Sequence, residues 1–294
     1  MKLILAQTIN GIALGSIYVL LVTGFNLMFL IAKIIHFSYP YIVVISMYLC
    51  WMLLEMTDHA LLSISFCIMA SVLFHLILEP LFRRLKTRKG LVDINASFIL
   101  SMGIALILTE IMSHHLNYGF PISFPLNWLQ SDLFFELYFI RISVGQIGVL
   151  VGSIFLVSVL FIFVYRTRIG RAFRAMAENI SMARLQGIPV VRLDLLVYAL
   201  SGLSGGIIAL LFSILLGTAS PLLGEYVALK MLAVAIVAGL GHLKGGLICG
   251  LILGIIESFS IQFFPGSWSN AIAFIIMLMV ILVKPEGLFV SRTK

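Results

Sequence analysis

From Leu3 to Ala32 the chain carries no side chain that is charged at neutral pH. A helix of about 20 apolar residues crosses the hydrocarbon layer of a bilayer, so this run spans one with residues to spare. It is too long for the apolar part of a signal peptide, and no small-residue cleavage site follows it. It therefore reads as a retained first span. Further stretches with little or no charge cover 34–54, 60–78, 94–109, 142–165, 195–224, 231–243, 245–256 and 258–283. With 62% of 294 residues hydrophobic and only 11% charged, the chain has far more apolar surface than a water-soluble core can use. Open strands would leave backbone groups unpaired in lipid, so the expected fold class is all-α, a polytopic transmembrane helical bundle.

The charges that remain are bunched. Arg83, Arg84, Lys86, Arg88 and Lys89 form one basic cluster, and Arg166, Arg168, Arg171, Arg174, Arg184 and Arg192 form a second. Short basic loops between spans belong on the cytoplasmic side, which also accounts for the net charge of +7 without invoking a nucleic-acid partner. That places 166–192 inside, 113–140 outside, the tail with Lys284, Arg292 and Lys294 inside, and the N-terminus outside. About eight or nine membrane segments are expected, and the parity of this orientation favours nine. Gly239, Gly241, Gly245 and Gly246 punctuate the C-terminal third. They leave two readings open there, a tight cytoplasmic turn or a re-entrant loop.

The chemistry the chain lacks narrows the function. There is no GxxxxGK[ST] phosphate loop, no HExxH and no GxSxG. Cys50, Cys67 and Cys249 lie in apolar surroundings with no CxxC or Cys/His spacing, so they read as small packing residues. No cofactor or metal site is expected on this chain, and no enzymatic activity. A chain like this that moves solute takes its energy from an ion gradient or from another subunit.

Small residues recur at helical spacing: Gly11 and Gly15, then Gly246, Gly250 and Gly254, with Gly202, Gly205 and Gly206 as a third group. Such stripes let helix backbones approach closely where lipid supplies no hydrophobic drive, so they read as packing positions in a tight bundle. Glu110, Glu225, Lys230 and Glu257 lie in or at the ends of apolar runs. A charge at mid-bilayer costs ~2.5–3.5 kcal/mol, so each is expected to face protein, water or an interface. For Lys230 a paired or snorkelling role is preferred over a proton relay.

Two connecting segments have texture beyond what a turn needs. In 113–140, Pro121 and Pro125 break helix, while Tyr118, Phe120, Phe124 and Trp128 suit a membrane interface. Partial alternation through Glu136, Tyr138 and Arg141 hints at a short strand. In 166–192, Ser181 suits a helix N-cap, and Gly187 followed by Pro189 suits a stop, leaving a helix of about two turns. Met182, Leu185 and Ile188 share one side of it. A helix that short is unstable alone in water and needs an apolar groove on a partner.

At this loop the chain resembles the membrane subunits of bacterial ABC importers, specifically the branched-chain amino acid permease family. The resemblance spans nearly the whole chain. It is carried by Asn10–Gly11 with Gly15, Tyr18 and Gly24; by Arg166, Arg168, Gly170, Arg171, Arg174, Ala183 and Gly187; and by Ser220–Pro221, Gly224, Lys230, Gly239, Gly241, Gly245, Glu257 and Lys284–Leu288. It implies a single permease domain over 1–294 in the bacterial cytoplasmic (inner) membrane. It further implies a second homologous permease subunit, a periplasmic solute-binding protein, and two cytoplasmic ATPases that use ATP and Mg. Under the resemblance Arg171, Arg174, Glu178, Ser181, Met182, Leu185, Gly187 and Ile188 couple the chain to the ATPase. The sequence departs from the family's Asn-Phe-Ala-His-Gly between the first two spans. Here the stretch reads His36–Phe37–Ser38–Tyr39–Pro40, and its first four residues are taken as the solute pathway. Branched-chain amino acids are the first expectation for the solute, followed by other small amino acids, amides or urea. The rival reading from the residues alone is a stand-alone secondary carrier or channel with Lys230 and Glu257 as ion-coupling groups.

Overall fold

The structure, a computed structural model, describes residues 2–86, 93–125, 134–137, 140–263, 268–284 and 287–289. Arg88, Lys89, Trp128, Tyr138, Arg292 and Lys294, which figure in the sequence argument, lie outside the described residues. In chain order the helices are α1 (Lys2–Ala32), α2 (Tyr39–Thr57), α3 (Ala60–Arg84), α4 (Ile94–His114), α5 (Val144–Arg166), α6 (Arg168–Glu178), α7 (Ile180–Leu185), α8 (Val190–Leu216), α9 (Leu223–Ala238), α10 (Leu243–Phe263) and α11 (Trp268–Val283). Four short strands, β1 (Ile122–Ser123), β2 (Phe134–Leu137), β3 (Ile140–Ser143) and β4 (Thr218–Ala219), make two isolated antiparallel pairs, β1 with β4 and β2 with β3. This is an all-α polytopic bundle.

Among the described residues seven helices, α1 to α5, α8 and α10, are long and apolar enough to cross a membrane. α9 and α11 are apolar too but only 16 residues long, about 24 Å each. Seven helices of spanning length stand against the eight or nine membrane segments expected from the sequence, and α9 and α11 are the two apolar helices that fall short of that length. The β2–β3 hairpin shows that the alternation near Glu136 belongs to two strands, with Glu136 opposite Arg141. The glycine-rich segment is a tight turn: His242 N donates to Gly239 O at 2.9 Å, and Gly239 and Gly241 take φ of 96° and 80°.

α1 is the axis of the bundle. Over its most apolar window it is 83% buried, against 28% for α3, α4 and α5, which face outward. α1 lies directly on α10 because neither backbone is shielded by side chains at the crossing. A Cβ on Gly11 would stand 2.7 Å from Ile255 Cα, one on Gly250 2.9 Å from Val19 N, and one on Gly254 2.7 Å from Gly11 O. A Cβ on Gly246 would meet Val22 Cγ1 at 3.0 Å, and one on Gly15 would meet Leu251 Cα at 3.0 Å. α3 and α8 cross in the same way, through Gly202 and Gly206 against Val72 and Ile68.

Tertiary bonds separate two ends of the bundle. At one end Gln146 Nε2 of α5 donates to Asn10 Oδ1 of α1 (2.7 Å), Ser258 Oγ of α10 donates to Gln7 O (2.8 Å), and β1 pairs with β4. At the other, Lys86 pairs with Asp194, Gly241 N donates to Asn26 Oδ1 (3.1 Å), and the Lys244 ammonium lies 5.9 Å over the Tyr165 ring. This second end carries the described arginines apart from Arg141 of β3.

Candidate functional site

The 166–192 segment is two helices, not one. Thr167 caps α6, its hydroxyl accepting from Gly170 N at 2.9 Å. α6 buries Phe173 and Met176 completely and exposes Arg171 and Glu178, a division that seats it against the bundle by one face. Arg174 does not reach outward: its guanidinium donates to the Val164 carbonyl near the end of α5 and lies 5.7 Å from the Tyr165 ring centroid. It locks α6 to α5.

The N-cap of α7 is Asn179, which corrects the expectation for Ser181. Capping needs extended backbone with a side-chain oxygen reaching the next turn's N–H. Asn179 has φ −156° and ψ 105°, and its Oδ1 accepts from Met182 N at 3.0 Å, whereas Ser181 already lies inside the helix. Ile180 and Ala183 face the bundle. Met182 and Leu185 face away, 58% and 81% exposed, with Ile188 half-buried behind them. Gly187, exposed and at φ 80°, ends the helix in the left-handed conformation that a side chain resists.

The connector between α1 and α2 is an internal polar junction. His36, Ser38 and Tyr39 are wholly buried and Phe37 nearly so. Ser97 and Ser101 of α4 hold its backbone: Phe37 N donates to Ser101 Oγ at 3.1 Å, and that hydroxyl contacts Ile35 O at 3.0 Å. The Tyr39 hydroxyl meets Ser204 Oγ of α8 at 3.0 Å, and Ser38 Oγ meets His36 Nδ1 at 3.0 Å. His75 of α3 packs 5.4 Å from the His36 ring and 5.3 Å from the Tyr39 ring. Burial first, and the nearby His75 second, hold the His36 imidazole well below its ordinary pKa. Toward the basic end the junction continues through Tyr198 to buried Glu79 and Asp194. Glu79 lies 3.7 Å from Arg83, and Asp194 is paired with Lys86.

Two further features bear on transport. Lys230 Nζ of α9 lies 2.5 Å from Glu257 Oε1 of α10, the Tyr18 hydroxyl donates to Glu257 Oε2 at 2.8 Å, and all three are buried. At the end away from the two basic clusters, α1, α5, α8 and α10 line a cleft of about 380 Å³. Gln7, Asn10, Gln146 and Ser258 line it on its polar side, and Leu14 and Leu215 are among its aliphatic lining. None of His36, Phe37, Ser38 and Tyr39 lines it. Among the described residues no group of three or more His, Cys, Asp or Glu could hold a metal ion.

Residues 7–281 match the family described as "Branched-chain amino acid transport system / permease component". The chain belongs to this permease family. The permease is 26% identical over 297 residues to the high-affinity branched-chain amino acid transport system permease protein LivH of Salmonella typhimurium, covering 97% of this chain and 94% of the relative. To BraD of Pseudomonas aeruginosa, named for the same system, it is 24% identical over 296 residues, 97% of this chain and 95% of the relative. The xylose transport system permease protein XylH of Escherichia coli is 31% identical over only 123 residues, 40% of this chain and 31% of its own. No solved structure matches the permease. It is a multi-pass membrane protein, the permease component of a transporter.

Sequence reasoning missed most of the polar junction of this permease. His75 and Glu79 sit on one face of α3 a turn apart, but a lone histidine in an apolar run carries no signal of its partner. Asp194 could have been found: an acid directly before the uncharged stretch 195–224 signals a helix start with a buried charge to neutralise. Asn179 was legible too, as a capping residue two places before the serine that was preferred.

Proposed function

We propose that the permease is the membrane-spanning subunit of an ABC importer for branched-chain or other small amino acids, in the bacterial cytoplasmic membrane. Power comes from separate ATPase subunits that bind ATP and Mg. A second homologous permease subunit completes the pathway, and an external binding protein delivers solute. The observation that carries this reading is α7: a capped helix, stopped by Gly187 and seated on the bundle by Ile180 and Ala183, that leaves Met182 and Leu185 exposed beyond the basic end. Two large apolar side chains on so short a helix fit a groove on a partner subunit. α6, locked to α5 by Arg174, carries the displacement of α7 into the spans. The amide-lined cleft at the opposite end supports arrival of a small, uncharged or zwitterionic solute there. His36 to Tyr39 then form part of the internal route, opened when the spans tilt.

Met182→Asp and Leu185→Asp each place a charge in that groove. Uptake of labelled leucine by cells carrying the whole transporter should fall at least tenfold, with the membrane content of the chain unchanged. Wild-type uptake in both variants would refute the coupling assignment. The buried Lys230–Glu257–Tyr18 cluster favours a second reading, a carrier driven by an ion gradient. Vesicles containing the purified chain alone separate the two, since only a carrier accumulates leucine there under an imposed gradient.

A further inference from the structure

A hydrogen-bond chain with a fixed direction runs from the start of α5 into the cleft lined by α1, α5, α8 and α10. Gln146 closes the capping box of α5, and Ser143 N donates to Gln146 Oε1 at 3.1 Å. A backbone N–H can only donate, which settles the Gln146 amide: its other end is Nε2, a donor. Nε2 donates to Asn10 Oδ1 at 2.7 Å, and that in turn settles the Asn10 amide. The chain ends on Asn10 Nδ2, a group with two N–H donors on an exposed side chain that lines the cleft. Gln7 stands one turn earlier on the same side of α1, a spacing that sets Cβ atoms about 5–6 Å apart. Ser258 Oγ of α10 lies 2.8 Å from Gln7 O and 2.7 Å from Gln7 Oε1. One hydroxyl proton serves one of these acceptors at a time, so Gln7 keeps acceptor capacity.

Three properties of the cleft define its ligand. No residue that lines it is charged, so a ligand with net charge would shed water there without meeting a counter-charge. A donor and an acceptor stand one helical turn apart, which fits an anionic and a cationic group held close together on one small molecule. Leu14, Leu215, Leu216 and Ile261 complete the lining and offer aliphatic contact. A zwitterion with an aliphatic side chain meets all three conditions. We propose that the cleft is a recognition site for an aliphatic α-amino acid. Asn10 Nδ2 donates to its carboxylate, Gln7 accepts from its ammonium, and the three leucines with Ile261 take its side chain. Hydrogen bonds with a charged partner are roughly twice as strong as neutral ones, and here they orient the solute. The site rests on the reading that the permease carries small amino acids, and it narrows the solute. Urea has no aliphatic part, and the amide of an amino acid lacks the carboxylate and carries net charge, so the cleft excludes both.

The test uses a leucine analogue that carries a diazirine on its side chain, photolysed in membrane vesicles from cells carrying the whole transporter. Label on the permease should map to peptides containing Leu14, Leu215, Leu216 or Ile261. Millimolar leucine should reduce that label at least tenfold. Leucinamide, which lacks the carboxylate, and N-acetyl-leucine, which lacks the ammonium, should each reduce it less than about twofold. Asn10→Asp should lower the label at least tenfold. That variant keeps the size of the side chain and an acceptor for Gln146 Nε2, but sets a negative charge against the carboxylate. Where Asn10→Asp lowers the amount of folded chain, the competition series on the wild-type protein decides alone. No label on these peptides, equal competition by the blocked analogues, or undiminished label in folded Asn10→Asp would overturn the site. Labelling involves no coupling step, so such a failure leaves the importer reading standing. That reading falls instead on wild-type uptake by Met182→Asp and Leu185→Asp.

Discussion

Lys230→Met should destabilise the permease by about 3–5 kcal/mol, the cost of stranding one charge of a buried pair. The reason lies at the junction of α9, α10 and α1, where Lys230 Nζ stands 2.5 Å from Glu257 Oε1 and both side chains are about nine-tenths buried. The Tyr18 hydroxyl keeps its bond to Glu257 in the variant, but a neutral donor does not cancel the carboxylate's charge in a low-dielectric interior. Lys230→Met/Glu257→Gln removes both charges and should recover most of the loss. The measurement is the fraction of folded protein remaining after graded denaturation in detergent. A single variant as stable as the double would show that the pair is neither buried nor coupled in the folded protein.

Gly254→Leu should abolish accumulation of folded permease. A Cβ there collides with the backbone of Gly15 and stands 2.7 Å from Gly11 O, so no side-chain rotation relieves it. α1 and α10 must separate, which forfeits close backbone packing along the most buried helix of the bundle. Overpacking in an ordinary core costs about 1–3 kcal/mol, and a clash of two backbones lies at or beyond the top of that range. Gly103→Ala is the matched control. A Cβ at Gly103 has nothing within 4 Å, so that variant should stay within about 1 kcal/mol of the wild type. Folded yield by size-exclusion chromatography compares the two, and equal yields would remove the α1–α10 crossing from the account.

The same two sites show how far the residues could be read in advance. The glycine spacing announced close approach, because a small-residue stripe on an apolar helix has few other uses. It did not say that the partner of Gly11 and Gly15 is the stripe 240 residues away on α10, since spacing along a helix carries no address. Lys230 announced a need for compensation, and Glu257 was on the page as a second misplaced charge. That they meet depends on α9 turning back at Gly239–His242, a reversal that the glycines left open between a turn and a re-entrant loop. In the second basic loop the apolar side of α7 was legible from the spacing of Met182 and Leu185. The capping residue was misassigned by two positions, and α6 went unseen. Its arginines read as loop charge, while its buried face is only Gly170, Phe173 and Met176.

Composition and charge distribution by themselves determined the class of molecule: a helical membrane bundle with basic loops gathered at one end and a short apolar foot. Those properties follow from solvation, which acts on each segment separately. Lipid demands apolar helices, and water demands the charges, whatever the rest of the chain does. Only the tertiary structure decided that His36, His75 and Tyr39 meet, that Asp194 is neutralised by Lys86, and that Arg174 turns inward to close α5 onto α6. Those outcomes depend on which helix faces which, and that choice is made by shape and by hydrogen bonding across long stretches of chain, where local pattern is silent.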